Sequence, residues 1–124
     1  MSHLLDVNVL IAAVWSGHPD FAKTDAWLKG KSVTLCPISE LGFLRISTNK
    51  FFGYTMAQCR SALEKFSQEV KAKRIACDLD ALDSHPAKSD EVTDRYLADL
   101  AARHGLKLAT LDQGIKHPAI ELVT

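Results

Sequence analysis

Apolar positions along this chain follow two rhythms: short aliphatic runs, and longer stretches in which they recur every three or four residues. The runs at 3–7, 33–36, 74–77, 107–111 and 119–123 read as strands. Between them the three-and-four repeat predicts helices. Residues 8–14 make a short one. Gly17-His18-Pro19 then breaks the chain before a second, which Pro19 opens and which runs through about Lys29, with Phe21, Thr24, Trp27 and Leu28 toward the core. Pro37 ends the second strand, and a helix follows from about Ser39 through Ile46. After Asn49 and a turn at Phe51-Phe52-Gly53-Tyr54, Thr55 through about Val70 is helical, with Met56, Cys59, Leu63, Phe66 and Val70 at helical spacing. A polar loop containing Ser84-His85-Pro86 leads to a helix from about Asp90 to His104, closed by Gly105 in the C-cap position.

Strands alternating with helices predict an α/β domain, a parallel sheet of about five strands with helices on both faces. Right-handed crossovers then bring every strand's carboxyl end to one edge, where ligands bind near the switch point of strand order. The chain has 124 residues and no repeat, low-complexity tract or linker, so residues 1–124 are expected to form a single domain.

Against this apolar background the polar interruptions carry the chemistry. Asp6 and Asn8 interrupt the run His3-Leu4-Leu5-Asp6-Val7-Asn8-Val9-Leu10-Ile11. Burying a carboxylate among so much aliphatic surface costs about 5 kcal/mol or more unless charge or hydrogen bonds compensate. Leu106-Lys107-Leu108-Ala109-Thr110-Leu111-Asp112 repeats the arrangement, a strand that delivers an Asp at its carboxyl end. Glu40 falls in the first turn of the helix after Pro37. Asp94 falls early in the late helix, on the face of Leu97, Ala98 and Ala101. Each acid therefore projects from a different element toward the same edge. Four carboxylates in one place repel and share protons unless a divalent cation joins them, and hard oxygen ligands suit Mg²⁺ or Mn²⁺. Singly, each has an ordinary explanation: a helix N-terminus for Glu40 and Asp94, an Asp-Gln-Gly turn for Asp112. Their joint placement is what points to a site.

Composition narrows the classes of function. Lys plus Arg and Asp plus Glu both number 15, so no global basic field announces nucleic acid, and any such partner is held by local patches or by metal. Cys36, Cys59 and Cys77 are odd in number and form no Cys-x-x-Cys pair, as in a protein of a reducing compartment. No segment reads as a signal peptide or membrane span, and a cytoplasmic location is expected. The five histidines have no ligand spacing, which argues against zinc. Arg45 has two readings of equal standing, a phosphate contact or an ion pair with an acid. Phe51-Phe52-Gly53-Tyr54 likewise reads either as a partner site or as a satellite of the core.

Four segments, in this order, resemble the PIN-domain ribonucleases, and most closely the VapC-like toxins of toxin–antitoxin modules. They are Leu5-Asp6-Val7-Asn8-Val9-Leu10-Ile11-Ala12, Ile38-Ser39-Glu40-Leu41-Gly42-Phe43-Leu44-Arg45, Thr93-Asp94-Arg95-Tyr96-Leu97-Ala98-Asp99-Leu100-Ala101 and Ala109-Thr110-Leu111-Asp112-Gln113-Gly114. The resemblance spans nearly the whole chain and implies a PIN-like three-layer sandwich. It also implies Mg²⁺-dependent hydrolysis of RNA that leaves a 5′-phosphate and a 3′-hydroxyl, with Mn²⁺ as a substitute metal. The family's acidic quartet falls on Asp6, Glu40, Asp94 and Asp112, with Asp6 and Asp112 as direct metal ligands and the others acting directly or through water. Asn8 and Thr110 are placed to orient a carboxylate or a water, or else serve as a helix cap and a strand former. A VapB-like antitoxin and a homodimer are the implied protein partners. The chain departs from the family pattern in Gln113, where relatives often carry Arg, and in the charged Arg95 and Asp99 beside the third acid.

Other α/β readings use the same strand-edge acids. A phosphotransferase of the haloacid dehalogenase kind needs a second acid where this chain has Asn8. A receiver domain needs a Lys after its fifth strand, and the sequence ends at Thr124 without one. A non-enzymatic adaptor is compatible with the same fold.

Overall fold

Leu4 and Leu5 are both fully buried although adjacent in one strand, because the strand is covered on both faces. The computed structural model, which describes residues 2–124, shows what covers them. Strands β1 (Ser2–Leu5), β2 (Ser32–Leu35), β3 (Lys73–Arg74), β4 (Lys107–Thr110) and β5 (Ile120–Leu122) form one parallel sheet in the order β3-β2-β1-β4-β5. Between them run α1 (Val7–Val14), α2 (Phe21–Leu28), α3 (Pro37–Ser47), α4 (Met56–Glu69) and α5 (Val92–Arg103).

The two faces are unequal. Leu5, Val33, Leu35 and Ala109 pack with Val9 and Leu10 of α1, Phe43 of α3, and Cys59 and Leu63 of α4; Trp27 and Leu28 of α2 join at the margin. On the other face Leu4, Cys36 and Leu108 meet Leu97, Ala98, Leu100 and Ala101 of α5. The result is the expected three-layer sandwich, with four helices on one face and one on the other. Crossovers of a single hand account for this. They stay on one face while the chain steps from β1 to β2 to β3, and change face when it reverses to reach β4. The reversal makes the β1–β4 boundary the switch point, with Asp6 just beyond β1 and Asp112 just beyond β4.

Several boundaries differ from expectation for local reasons. The third strand is an edge strand of only two residues, although the Ile75 amide still donates to the Leu35 carbonyl. The second helix starts at Phe21, leaving Pro19 in the preceding turn. The late helix opens with a 3-10 turn at Ser89–Glu91. Met56, the first residue of α4, is exposed rather than core, while Thr55 and Gln58 close a reciprocal capping box in front of it. Gly105 adopts the left-handed φ of +69° that ends α5.

The aromatic turn divides. Tyr54 stacks on Trp15 with ring centroids 3.7 Å apart, and Trp15 donates to Ser47 Oγ at 2.9 Å. Phe52 packs against the core, whereas Phe51 is 89% exposed. Among the described residues no helix is long and apolar enough to cross a membrane.

Candidate active site

The site begins with the passage from β1 into α1. The Asp6 amide donates to the Ala109 carbonyl of β4, so the residue is fastened to the neighbouring strand before the helix starts. Its side chain caps α1, with Oδ1 accepting from the Val7 amide at 2.7 Å. The positive end of the helix adds a favourable field for a carboxylate at that point. Oδ2 accepts from the Thr110 hydroxyl at 2.8 Å. Asp6 is only 2% exposed. Burial pushes its pKa up, the Thr110 and Val7 hydrogen bonds pull it down, and the neighbouring Asp112 charge pushes it up again, with a net rise.

Thr110, fully buried at the end of β4, is the hub of the site. Its single proton goes to Asp6, and its oxygen accepts from Asn8 Nδ2 at 3.3 Å and from the Asp112 amide at 3.1 Å. Every hydrogen-bonding position of the hydroxyl is thus in use. Asn8 completes the frame by accepting from the Leu111 amide at 3.1 Å. Asn8 is therefore not the helix cap, a role that falls to Asp6, and Thr110 does more than favour a strand.

Asp94 reaches the same place from the first turn of α5. Its pKa is pushed up to about 6, first by burial, then by the charges of Asp6 and Asp112, with a smaller push from Asp90. Asp112 is exposed, and its Oδ1 accepts from the Gly114 amide at 2.8 Å in a tight turn. Among the described residues no three acidic, His or Cys side chains are closed up as a ready metal cage. The three aspartates are nonetheless electrostatically coupled, on three different elements.

Glu40 is not brought to this cluster. Its Oε2 accepts from Arg74 Nε at 3.1 Å and lies 3.0 Å from Arg74 Nη2. The pair lines a separate cavity of about 430 Å³ with Leu41, Arg60 and Leu63. The cause is helical phase. Gly42 of α3 faces Val7 of α1 so closely that an added Cβ would stand 2.6 Å from Val7 Cγ2. Glu40, two residues earlier, is turned by about 200° to the opposite side. The α3 side chains that do line the acid cavity, of about 320 Å³, are Arg45 and Ile46, together with Asp6, Asn8, Asp90 and Asp94.

Asp90 is the residue that sequence reading passed over. It lies four positions before Asp94, a spacing that places both on one side of a helical turn. Arg95 and Asp99, the unusual charges of α5, are explained locally. Asp99 accepts from Ser84 at 2.9 Å and bonds His117 at 2.7 Å, tying the loops on either side of α5 to it, with Arg95 at 3.9 Å.

Three carboxylates that share charge on a buried base, with only oxygen donors, suit a hard divalent cation that retains water ligands. Comparison with known proteins shows the family and the fold. The family model for the PIN domain matches residues 3–121. The chain is similar to Ribonuclease VapC38 of Mycobacterium tuberculosis, at 30% identity over 90% of this chain and 86% of that one. It is similar to Ribonuclease VapC44 of the same organism, at 30% identity over 97% and 92%. Its fold matches a chain in the crystal structure of VapBC2 from Rickettsia felis bound to a DNA fragment from its promoter. There the TM-score is 0.66 at 17% identity, covering 98% of this chain and 97% of that one. A parallel sheet switching at β1–β4, aspartates at that switch, and relatives matched almost end to end make this chain a VapC-like member of the PIN-domain family.

Proposed function

We propose that this protein is a metal-dependent endoribonuclease that acts as the toxin of a toxin–antitoxin pair. The observation that carries the reading is the convergence of Asp6, Asp94 and Asp112 at the switch point, with Asp94 pushed up to about 6 by burial and like charge. The relatives named ribonuclease VapC support RNA as the substrate. The fold neighbour in a VapBC2 complex supports a VapB-like antitoxin as the partner.

Asp6, Asp94 and Asp112 are the residues that would hold the cation, with Mg²⁺ as the ion and Mn²⁺ as its substitute. When bound, the ion lowers the pKa of a water and offsets charge on the scissile phosphate. The chain's own residues prepare this. Asp6 cannot rotate away, because each of its oxygens accepts a hydrogen bond, from Val7 and from Thr110. Thr110 passes that order to Asp112 through its amide, and Asn8 holds Thr110 and Leu111 in register. In the metal-free protein Asp94 takes a proton as pH falls through about 6, so protons compete with the cation for this ligand.

Purified protein should cut single-stranded or loop RNA in Mg²⁺ or Mn²⁺ and lose activity in EDTA. Asp6→Asn and Asp112→Asn should each lower the rate by at least ~100-fold. Full cleavage in EDTA, or in both variants, refutes the metal mechanism.

A further inference from the structure

Among the described residues the acid cavity has one basic side chain, Arg45, and it forms no ion pair. Arg45 projects from α3 into the space lined by Asp6, Asp90 and Asp94. Among the described residues no carboxylate lies within ion-pair distance of its guanidinium, and its side chain donates no hydrogen bond. Of the other arginines, Arg74 is taken by Glu40 and Arg103 by Asp78, and Arg95 lies 3.9 Å from Asp99. Arg60 forms no ion pair either, but it lines the separate cavity of Glu40 and not the acid cavity. Arg45 has carboxylates on the facing walls and closes on none of them. Its backbone is fixed, because Gly42, one turn earlier, sets the close contact of α3 with α1. The sequence left two readings for this residue, and among the described residues it forms no ion pair.

The electrostatics supply the other. A phosphate diester approaching three aspartates is repelled, and a bound divalent cation offsets that repulsion at one point only. A second positive group on the cavity wall is needed to hold the ribose-phosphate chain across the opening. A guanidinium suits the task, since its planar fork donates two parallel hydrogen bonds to phosphate oxygens and stays charged at all working pH values.

We propose that Arg45 binds an RNA phosphate at the mouth of the acid cavity and so sets the position of the strand relative to Asp6, Asp94 and Asp112. The proposal rests on the ribonuclease reading. Arg45 is a binding residue, and its loss raises KM with a smaller effect on kcat.

The test uses the full chain with a fluorescein-labelled RNA pool of random sequence, in Ca²⁺ for binding and in Mg²⁺ or Mn²⁺ for cleavage. Arg45→Gln should raise Kd and KM by about 10- to 100-fold, as expected for one charge-assisted contact. The slope of log K against log salt should fall by about 0.7, the value for one phosphate on a single strand. Arg45→Lys should recover the salt slope while recovering only part of the affinity. The melting temperature should not change, since Arg45 is exposed. A variant that cleaves and binds like the parent, with the parental salt slope, overturns the proposal and leaves the nuclease standing. So does one that loses stability and activity together while the slope stays parental. A parent that binds RNA with an Arg45-dependent slope yet cleaves nothing overturns the nuclease and keeps the phosphate contact. A parent that neither binds nor cleaves overturns both.

Discussion

Replacing Asp94 by Asn removes a charge that the fold does not favour, so it should stabilise the metal-free protein. In the folded chain Asp94 titrates at about 6, against an ordinary value of 3.8. Between those values the folded state binds more protons than the unfolded state, so stability falls as pH rises across that window. The full penalty is present above about 6 and vanishes below 3.8. At about 1.4 kcal/mol per pH unit the elevation corresponds to about 3 kcal/mol. Asp94 is half-buried, and solvent screening reduces this to about 1–2 kcal/mol. For 124 residues the unfolding entropy is about 0.26 kcal/mol/K, which makes the gain about 4–8 °C in melting temperature. The assay is thermal unfolding in EDTA, followed by circular dichroism, for parent and Asp94→Asn at about pH 7.5 and about pH 4. The variant should melt higher at the upper pH, with the difference mostly gone at the lower. Titrating Mg²⁺ should then raise the parent more than the variant, because only the parent keeps all three ligands. No difference at the upper pH, or the same difference at both, refutes the coupled cluster.

Other substitutions test the frame around the cluster. Thr110→Val keeps the volume but removes the hydroxyl shared by Asp6, Asn8 and Asp112. It should cost about 1–3 kcal/mol of stability and cleavage should fall by at least ~10-fold, so parental values in denaturant melts and RNA assays count against the hub. Gly42→Ala puts a Cβ 2.6 Å from Val7 Cγ2. It should destabilise by about 1–3 kcal/mol in urea titration, and a neutral result means that α1 and α3 separate freely. Phe51→Glu should leave the melting temperature within about 1 °C while weakening association with the antitoxin, because the ring is 89% exposed. Unfolding of that variant would instead make Phe51 part of the core.

The hydrophobic rhythm by itself determined the number and order of the elements and the placement of Asp6 and Asp112. Strand ends follow from local aliphatic runs, and parallel strands with same-handed crossovers collect those ends at one edge. Asp94 was legible for a similar reason, since its spacing from Leu97, Ala98 and Ala101 fixes its side of the helix. What sequence could not decide is how each helix is rotated about its own axis once docked. Glu40 stands in the first turn of α3 as expected, yet the contact between Gly42 and Val7 turns it to Arg74 and places the exposed Arg45 on the wall of the acid cavity. That rotation is set by packing between helices far apart in the chain, which no local pattern encodes. The Thr110 hub depends on tertiary structure in the same way, because its bond to Asp6 joins residues 104 positions apart. The bond exists only because β1 and β4 are neighbours in the sheet, and strand order follows from how the two cores close rather than from any run of residues.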